Sequence, residues 1–251
     1  MNILSNPDKK LIALGVLLGS LCWLFGSKAQ AEKGMGLKVE GDRLLVESRT
    51  FTAEFAGARL KSLKAKDGGL ELLRHEEAAF PLELVYANND RLREDKGQRL
   101  LVKLLSERAA RIVVQGNDSD RELFVRLDPA TGDLCVSPSG RSARRGVLAV
   151  RWNLPFAKEA ALVLPCINGL LVESGREFPG NDRFTWPFRW NVQLAIAQRE
   201  GRSLMVHSQD TDCQFNCLRP EASLVSAGAR LADSQRGAQR AGRLVLAAPD
   251  P

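Results

Sequence analysis

Two histidines, one tyrosine and three methionines are all that 251 residues contain. Cysteine is sparse as well. Cys22, Cys135, Cys166, Cys213 and Cys217 include no C-x-x-C pair. With so few imidazoles and no paired thiols, a tetrahedral zinc site has no ligand set, and no cofactor or metal is expected. Long apolar runs are missing after the first 26 residues, and Leu11–Gly26 itself falls short of the roughly 20 residues a spanning helix needs. No segment keeps a 3.6-residue apolar period beyond a turn or two, so helical bundles and alternating helix–strand folds are excluded. Charge of one sign is not concentrated either: 36 Lys and Arg stand against 30 Asp and Glu, for a net +6. A nucleic-acid binder shows a denser basic stripe, so no nucleic-acid partner is expected. The one cluster, Arg141, Arg144 and Arg145 in SPSGRSARRG, lies among Ser, Pro and Gly and reads as a solvated loop.

Residues 1–31 read as a secretory signal peptide. Lys9 and Lys10 precede the apolar run, and Ala29-Gln30-Ala31 forms an A-x-A cleavage signal. Cleavage would make Glu32 the first residue of a secreted or periplasmic protein with no membrane attachment; an uncleaved anchor is the alternative. A bulky Leu21 before Cys22 makes a poor lipoprotein site, so Cys22 is assigned to the leader. Removing the leader, which carries a net +2, leaves +4 on the remaining 220 residues. That length suits one large all-β domain able to bury its own core. It is divided into a β domain over residues 32–220 and an Ala/Arg/Gly-rich tail over 221–251. The tail reads as a poor helix, two weak strands or a disordered end, and a truncated chain would also account for it. Four cysteines follow the leader, and their three possible pairings stay open. Cys135 and Cys166 read as buried strand residues. Cys213 and Cys217 are four apart, close enough to bridge across a short loop but not along one strand.

What the chain does have is alternation. Apolar and polar residues alternate between turn residues over Leu37–Val39, Leu44–Glu47, Phe51–Phe55, Leu60–Leu63, Leu70–Leu73, Leu82–Tyr86, Leu100–Glu107, Arg111–Val114, Leu123–Leu127 and Leu134–Ser137. The pattern continues through Val147–Asn153, Ala161–Leu164, Trp190–Gln198 and Leu204–Ser208. Asp67-Gly68-Gly69 and Arg199–Arg202 are hairpin turns. Val192, Leu194 and Ile196 alternate with Gln193, Ala195 and Ala197, the pattern of a half-buried antiparallel strand. The expectation is an all-β, antiparallel, monomeric sandwich.

Aromatic residues are few but clustered. Thirteen follow the leader, and seven of these, including Trp152, Trp186 and Trp190, lie between 152 and 190. Any single ring there reads first as core. Asn181, Asp182, Arg183 and Arg189 interrupt the run as a plain core strand would not. Trp186 and Trp190 beside Asn181, Asp182, Arg183 and Arg189 are therefore the candidate carbohydrate-binding residues. Rings would stack on a sugar face, and Arg and Asp would bond its hydroxyls. The loop Phe178–Phe188 is expected at one edge of the sandwich.

FTAEFAGARLKSLKAKDGGLELLR resembles the opening strands of galactose-mutarotase-like β-supersandwiches. PFRWNVQLAIAQREGRSLMVHSQD is similar to their segment turning from the sugar-facing edge into two antiparallel strands. The resemblance covers Leu37 to Cys217 and is nearest to the N-terminal non-catalytic sandwich of glycoside hydrolases of the endo-α-N-acetylgalactosaminidase-related group. It implies an antiparallel β-supersandwich with carbohydrate as partner, and a glycosidase barrel as a further possible one. The barrel, with its catalytic carboxylates, has no counterpart here, so no catalytic residue is assigned. A binding or supporting module is the reading that follows. An aldose 1-epimerase-like enzyme using His207 is the alternative, by the same resemblance, and a ligand-free structural envelope protein is a third. His75 reads as a surface residue. His207, Asp210 and Asp212 invite a calcium reading, but the distal Glu and the Gly of a calcium loop are missing, and an Asp-stabilised turn fits better.

Overall fold

Period-two alternation becomes strand nearly everywhere it occurs. The computed structural model describes residues 34–73, 82–88, 91–92, 97–116, 119–157, 159–164, 169–173, 184–185, 194–209, 216–219, 224–228, 238–240 and 243–247. Among these, every regular element is a strand and every pairing is antiparallel. No helix there is long and apolar enough to cross a membrane. The leader lies outside the described residues, and Met35–Pro251 groups as one compact unit.

Strands β1 (Gly36–Glu40), β2 (Arg43–Glu47), β3 (Phe51–Ala56) and β4 (Arg59–Ala65) form a four-stranded meander. Next come β5 (Leu82–Tyr86), β6 (Arg91–Leu92), β7 (Arg99–Ser106), β8 (Ala109–Gly116), β9 (Ser119–Leu127) and β10 (Leu134–Ser142). They are followed by β11 (Val147–Pro155), β12 (Ala161–Leu164), β13 (Leu170–Val172), β14 (Phe184–Thr185), β15 (Leu194–Arg199) and β16 (Arg202–Gln209). The last four are β17 (Asn216–Arg219), β18 (Leu224–Gly228), β19 (Ala238–Arg240) and β20 (Arg243–Ala247). A ten-stranded sheet runs β13-β12-β15-β16-β20-β10-β9-β8-β7, with β19 also on β10. A six-stranded sheet runs β14-β17-β18-β11-β5-β6.

One core joins the three sheets. The alternate residues Leu44, Val46, Phe51, Phe55, Ile112, Val114, Leu123, Val125, Val150 and Trp152 all belong to it. Each fully buried large side chain contributes about 1.5–3 kcal/mol of transfer free energy. Trp152 of β11 stacks on Phe55 of β3, with ring centroids 6.3 Å apart and planes 19° from parallel. Its indole N–H donates to the Ala58 carbonyl at 3.0 Å. Two rings of the aromatic cluster, Trp152 and Phe156, are thus core, each fully buried.

Several expectations are corrected. At Leu70–Leu73 there is no strand, only the isolated bridges Lys64↔Glu71 and Leu73↔Phe156. The Glu71 carboxylate accepts from the amides of Leu63 (2.8 Å) and Leu73 (3.1 Å), so a side chain takes donors a ladder would use. The Asp67-Gly68-Gly69 turn is present, with Gly68 and Gly69 at φ 79° and 65°. On β15 the inward face belongs to Ala195 and Ala197, while Leu194 and Ile196 are half-buried. The register pairs those alanines with Val206 and Leu204, and Leu162 lies against Ala197, so the neighbours fill the space.

Arg141 is not in a loop either. β10 continues through Pro138 and Gly140 to Ser142, because Arg141 faces Asp120 across the ladder. Gly140 is needed there, since a Cβ on it would stand 2.7 Å from Leu84 Cδ2 of the facing sheet. Arg144 and Arg145 do lie in the exposed turn, Arg144 with its guanidinium 4.4 Å from the centre of the Tyr86 ring. Among the described residues past 220, β18 pairs β11 and β17, and β20 lies between β16 and β10. Cys135 is a buried thiol of β10; Cys166 and Cys213 lie outside the described residues.

Candidate functional site

Four consecutive antiparallel strands, β7 to β10, share one register, and register decides which side chains meet. Their buried face carries Ala110, Ile112, Val114, Leu123, Val125, Leu134 and Val136. Their other face is open, and directly paired residues form rows across it. One row runs Arg141–Asp120–Gln115–Arg99. The next runs Ser139–Glu122–Val113–Leu101, and the third Ser137–Phe124–Arg111–Lys103. Hairpin connections between consecutive strands hold these rows rigidly, so the side chains project from a fixed platform.

The first two rows without Arg99, together with Arg111 and Lys103, line a recess of about 750 Å³. A smaller hollow of about 420 Å³ continues from it past Ser119 and Ser142, sharing Asp120 and Arg141. The Arg141 guanidinium grips Asp120 through Nε (2.7 Å) and Nη2. Arg111 Nε lies 3.1 Å from a Glu122 oxygen. Leu101 is 42% exposed, and Val113 and Phe124 are half-buried on the same face. Paired guanidinium–carboxylate groups next to apolar surface provide directed donors and acceptors together with a face to lie on. These are the chemical features that recognition of a polyhydroxylated ring requires.

The six residues singled out from sequence, Asn181, Asp182, Arg183, Trp186, Arg189 and Trp190, lie outside the described residues. So do His75, Asp210 and Asp212. His207 is half-buried on β16. In the row His207–Val245–Cys135–Arg126 it lies three strands and four residues from Glu122. Strand spacings make that about 20 Å, too far for His207 and Glu122 to act as one acid–base pair. No three His, Cys, Asp or Glu residues converge on a metal position among the described residues. The sequence reading missed the β7–β10 face. Its signal was Phe124, the one aromatic on the polar phase of Glu122-x-Phe124-x-Arg126. Phe124 is half-buried on that face.

Comparison with known proteins gives the fold. No family model matches the chain, and no curated protein matches it in sequence. Among solved structures, a galactose mutarotase-like protein from Clostridium acetobutylicum aligns at TM-score 0.53 and 10% identity, over 87% of this chain and 100% of its own. An alpha-N-acetylgalactosaminidase from Bifidobacterium bifidum aligns at 0.55 and 11%, over 86% of this chain and 36% of its own. A GH36 alpha-galactosidase from Geobacillus stearothermophilus aligns at 0.53 and 8%, over 86% of this chain and 41% of its own. The chain has the galactose-mutarotase-like fold, all-β and antiparallel. It spans well under half the length of the two glycosidases.

Proposed function

We propose that this protein is an exported carbohydrate-binding or support module of glycoside hydrolase type, and that its sugar lies on the open face of β7–β10. The observation that carries the reading is the recess itself. Asp120–Arg141 and Glu122–Arg111 ion pairs stand beside Leu101 and Val113 in it, and Phe124 adjoins Arg111 in the neighbouring row. The fold is compatible, since solved glycosidases share it over a part of their length. A glycosidase barrel, on the same chain or another, is the partner this reading allows. The Trp186–Trp190 segment stays a second contact region for the same ligand, on the strength of its composition.

The test is a glycan-binding screen of the full protein, followed by titration calorimetry on any hit. A saccharide should bind, and Phe124→Ala should weaken it about two- to twelvefold, one stacking interaction being of order 0.5–1.5 kcal/mol. Trp186→Ala should weaken it with little change in melting temperature. Loss of several degrees with no binding to lose would return both rings to the core and sink the reading. Mutarotation of a free aldose abolished by His207→Ala would favour the epimerase alternative instead. Export is tested by N-terminal sequencing of secreted protein. It should start at Glu32, and material starting at Met1 would refute it.

A further inference from the structure

We infer that the saccharide taken by the β7–β10 recess is acidic, with its carboxylate or sulfate held at the Lys103–Arg111 end. This rests on the carbohydrate reading above and adds the charge class of the ligand. Among the described residues, Arg99, Lys103, Arg111, Arg126 and Arg141 stand on this open face with Asp120 and Glu122 as its acids. Both carboxylates are already engaged, Asp120 by Arg141 and Glu122 by Arg111. Arg126 has Asp128 at 3.6 Å. No described carboxylate pairs with Lys103 or Arg99. The uncommitted charged groups are therefore cationic, beside the neutral Gln115 and Ser139, and the complementary ligand brings anionic acceptors.

Register supplies a second, independent observation. Lys103 and Arg111 are directly opposed across β7 and β8, and like charges in that position repel and weaken the ladder. An anion between them turns the repulsion into two charge-assisted hydrogen bonds. Lysine on an edge strand also deters strand-to-strand aggregation, and the Glu122 pairing of Arg111 offsets part of the repulsion, which leaves Lys103 as the cation that an anion would answer. Phe124 adjoins Arg111 in the same row, so a ring lying on Phe124 places its charged substituent over Arg111 and Lys103.

The experiment uses the full chain and four probes in calorimetric or affinity-electrophoresis titrations. These are tetragalacturonate, its fully methyl-esterified form, a sulfated chondroitin tetrasaccharide and a duplex DNA of matched charge. The uronate, the sulfated sugar or both should bind at least about tenfold tighter than the ester, a step that corresponds to 1.4 kcal/mol, and should weaken as salt rises. Arg99→Gln/Lys103→Gln should lower acidic-sugar binding about tenfold, close to the worth of one charge-assisted hydrogen bond, and should lower ester binding by a clearly smaller factor. Circular dichroism melting should show the variant folded, both side chains being exposed. Equal binding of ester and acid would overturn the acidic assignment and leave the recess as a neutral-sugar site. Acid binding that survives the double substitution would also overturn it. Duplex DNA bound as tightly, and lost in the same variant, would make the face a general polyanion surface. Absence of binding by every saccharide would fail the carbohydrate reading first, and this inference with it.

Discussion

Trp152→Phe is the substitution that best tests how the sheets are joined. Trp152 is fully buried on β11, stacks on Phe55 of β3 and donates its indole N–H to the Ala58 carbonyl at 3.0 Å. Phenylalanine keeps an aromatic face but has no donor. The Ala58 carbonyl is then left buried without its indole partner, at about 1–3 kcal/mol. The missing part of the indole adds a small void, so a total of about 2–3 kcal/mol is expected. At 2–4 °C per kcal/mol for a domain of this size, Tm should fall about 4–12 °C. Urea titration followed by circular dichroism should show a lower midpoint at unchanged m-value. Trp152→Ala adds a cavity and loses about 5 kcal/mol or more, against a typical total of 5–15 kcal/mol, so the phenylalanine variant is the measurable one. Combining it with Phe55→Leu should give a coupling of about 0.5–1.5 kcal/mol. A loss under about 0.5 kcal/mol for Trp152→Phe, far below one orphaned carbonyl, or zero coupling with Phe55, would show that the four-stranded meander does not bear on β11 as described.

Gly140→Ala should cost about 1–3 kcal/mol by overpacking against Leu84 Cδ2. Adding Leu84→Ala should recover part of that loss in thermal melts, and strictly additive losses would refute the clash. Arg121 is fully buried on β9 and donates to the Leu82 carbonyl (3.0 Å), the Leu92 carbonyl (3.5 Å) and Gln98 Oε1. Arg121→Leu should therefore lose about 3 kcal/mol or more in urea titration, and an unchanged midpoint would contradict its role in tying β9 to β5 and β6. Glu40 is held below its ordinary range by the hydrogen bond from Lys38 and then by the Lys38 charge. A lowered folded-state value stabilises at neutral pH, and the benefit disappears as pH falls through the carboxylate range. The Tm gap between wild type and Glu40→Gln should be small at pH 7 and vanish by about pH 3. A gap that widens on acidification would be inconsistent with that sign.

Most strands, the hairpin turns at Asp67–Gly69 and Arg199–Arg202, and the fold class were legible in the chain, because a strand's signature is local. Residues two apart share a face, so Phe51, Ala53 and Phe55 announce their own burial. The Arg199–Arg202 turn is as plain, with Glu200 and Gly201 both at positive φ in the structure. Where local chemistry and tertiary pairing disagree, pairing prevails. SPSGRS looks like a turn, yet it is the second half of β10, because Asp120, Glu122 and Leu84 wait opposite it. The alternation on β15 does not say which set faces inward, and the register gives that face to Ala195 and Ala197. RLVLA near the end carries a visible alternation, but nothing in it says that it lies between β10 and β16. The recess is the clearest case. Asp120, Arg141, Glu122, Arg111 and Lys103 are spread over some forty residues and form no motif. They meet only because three hairpin registers align β7 to β10, and register is a property of pairs of strands, which one strand read alone does not contain.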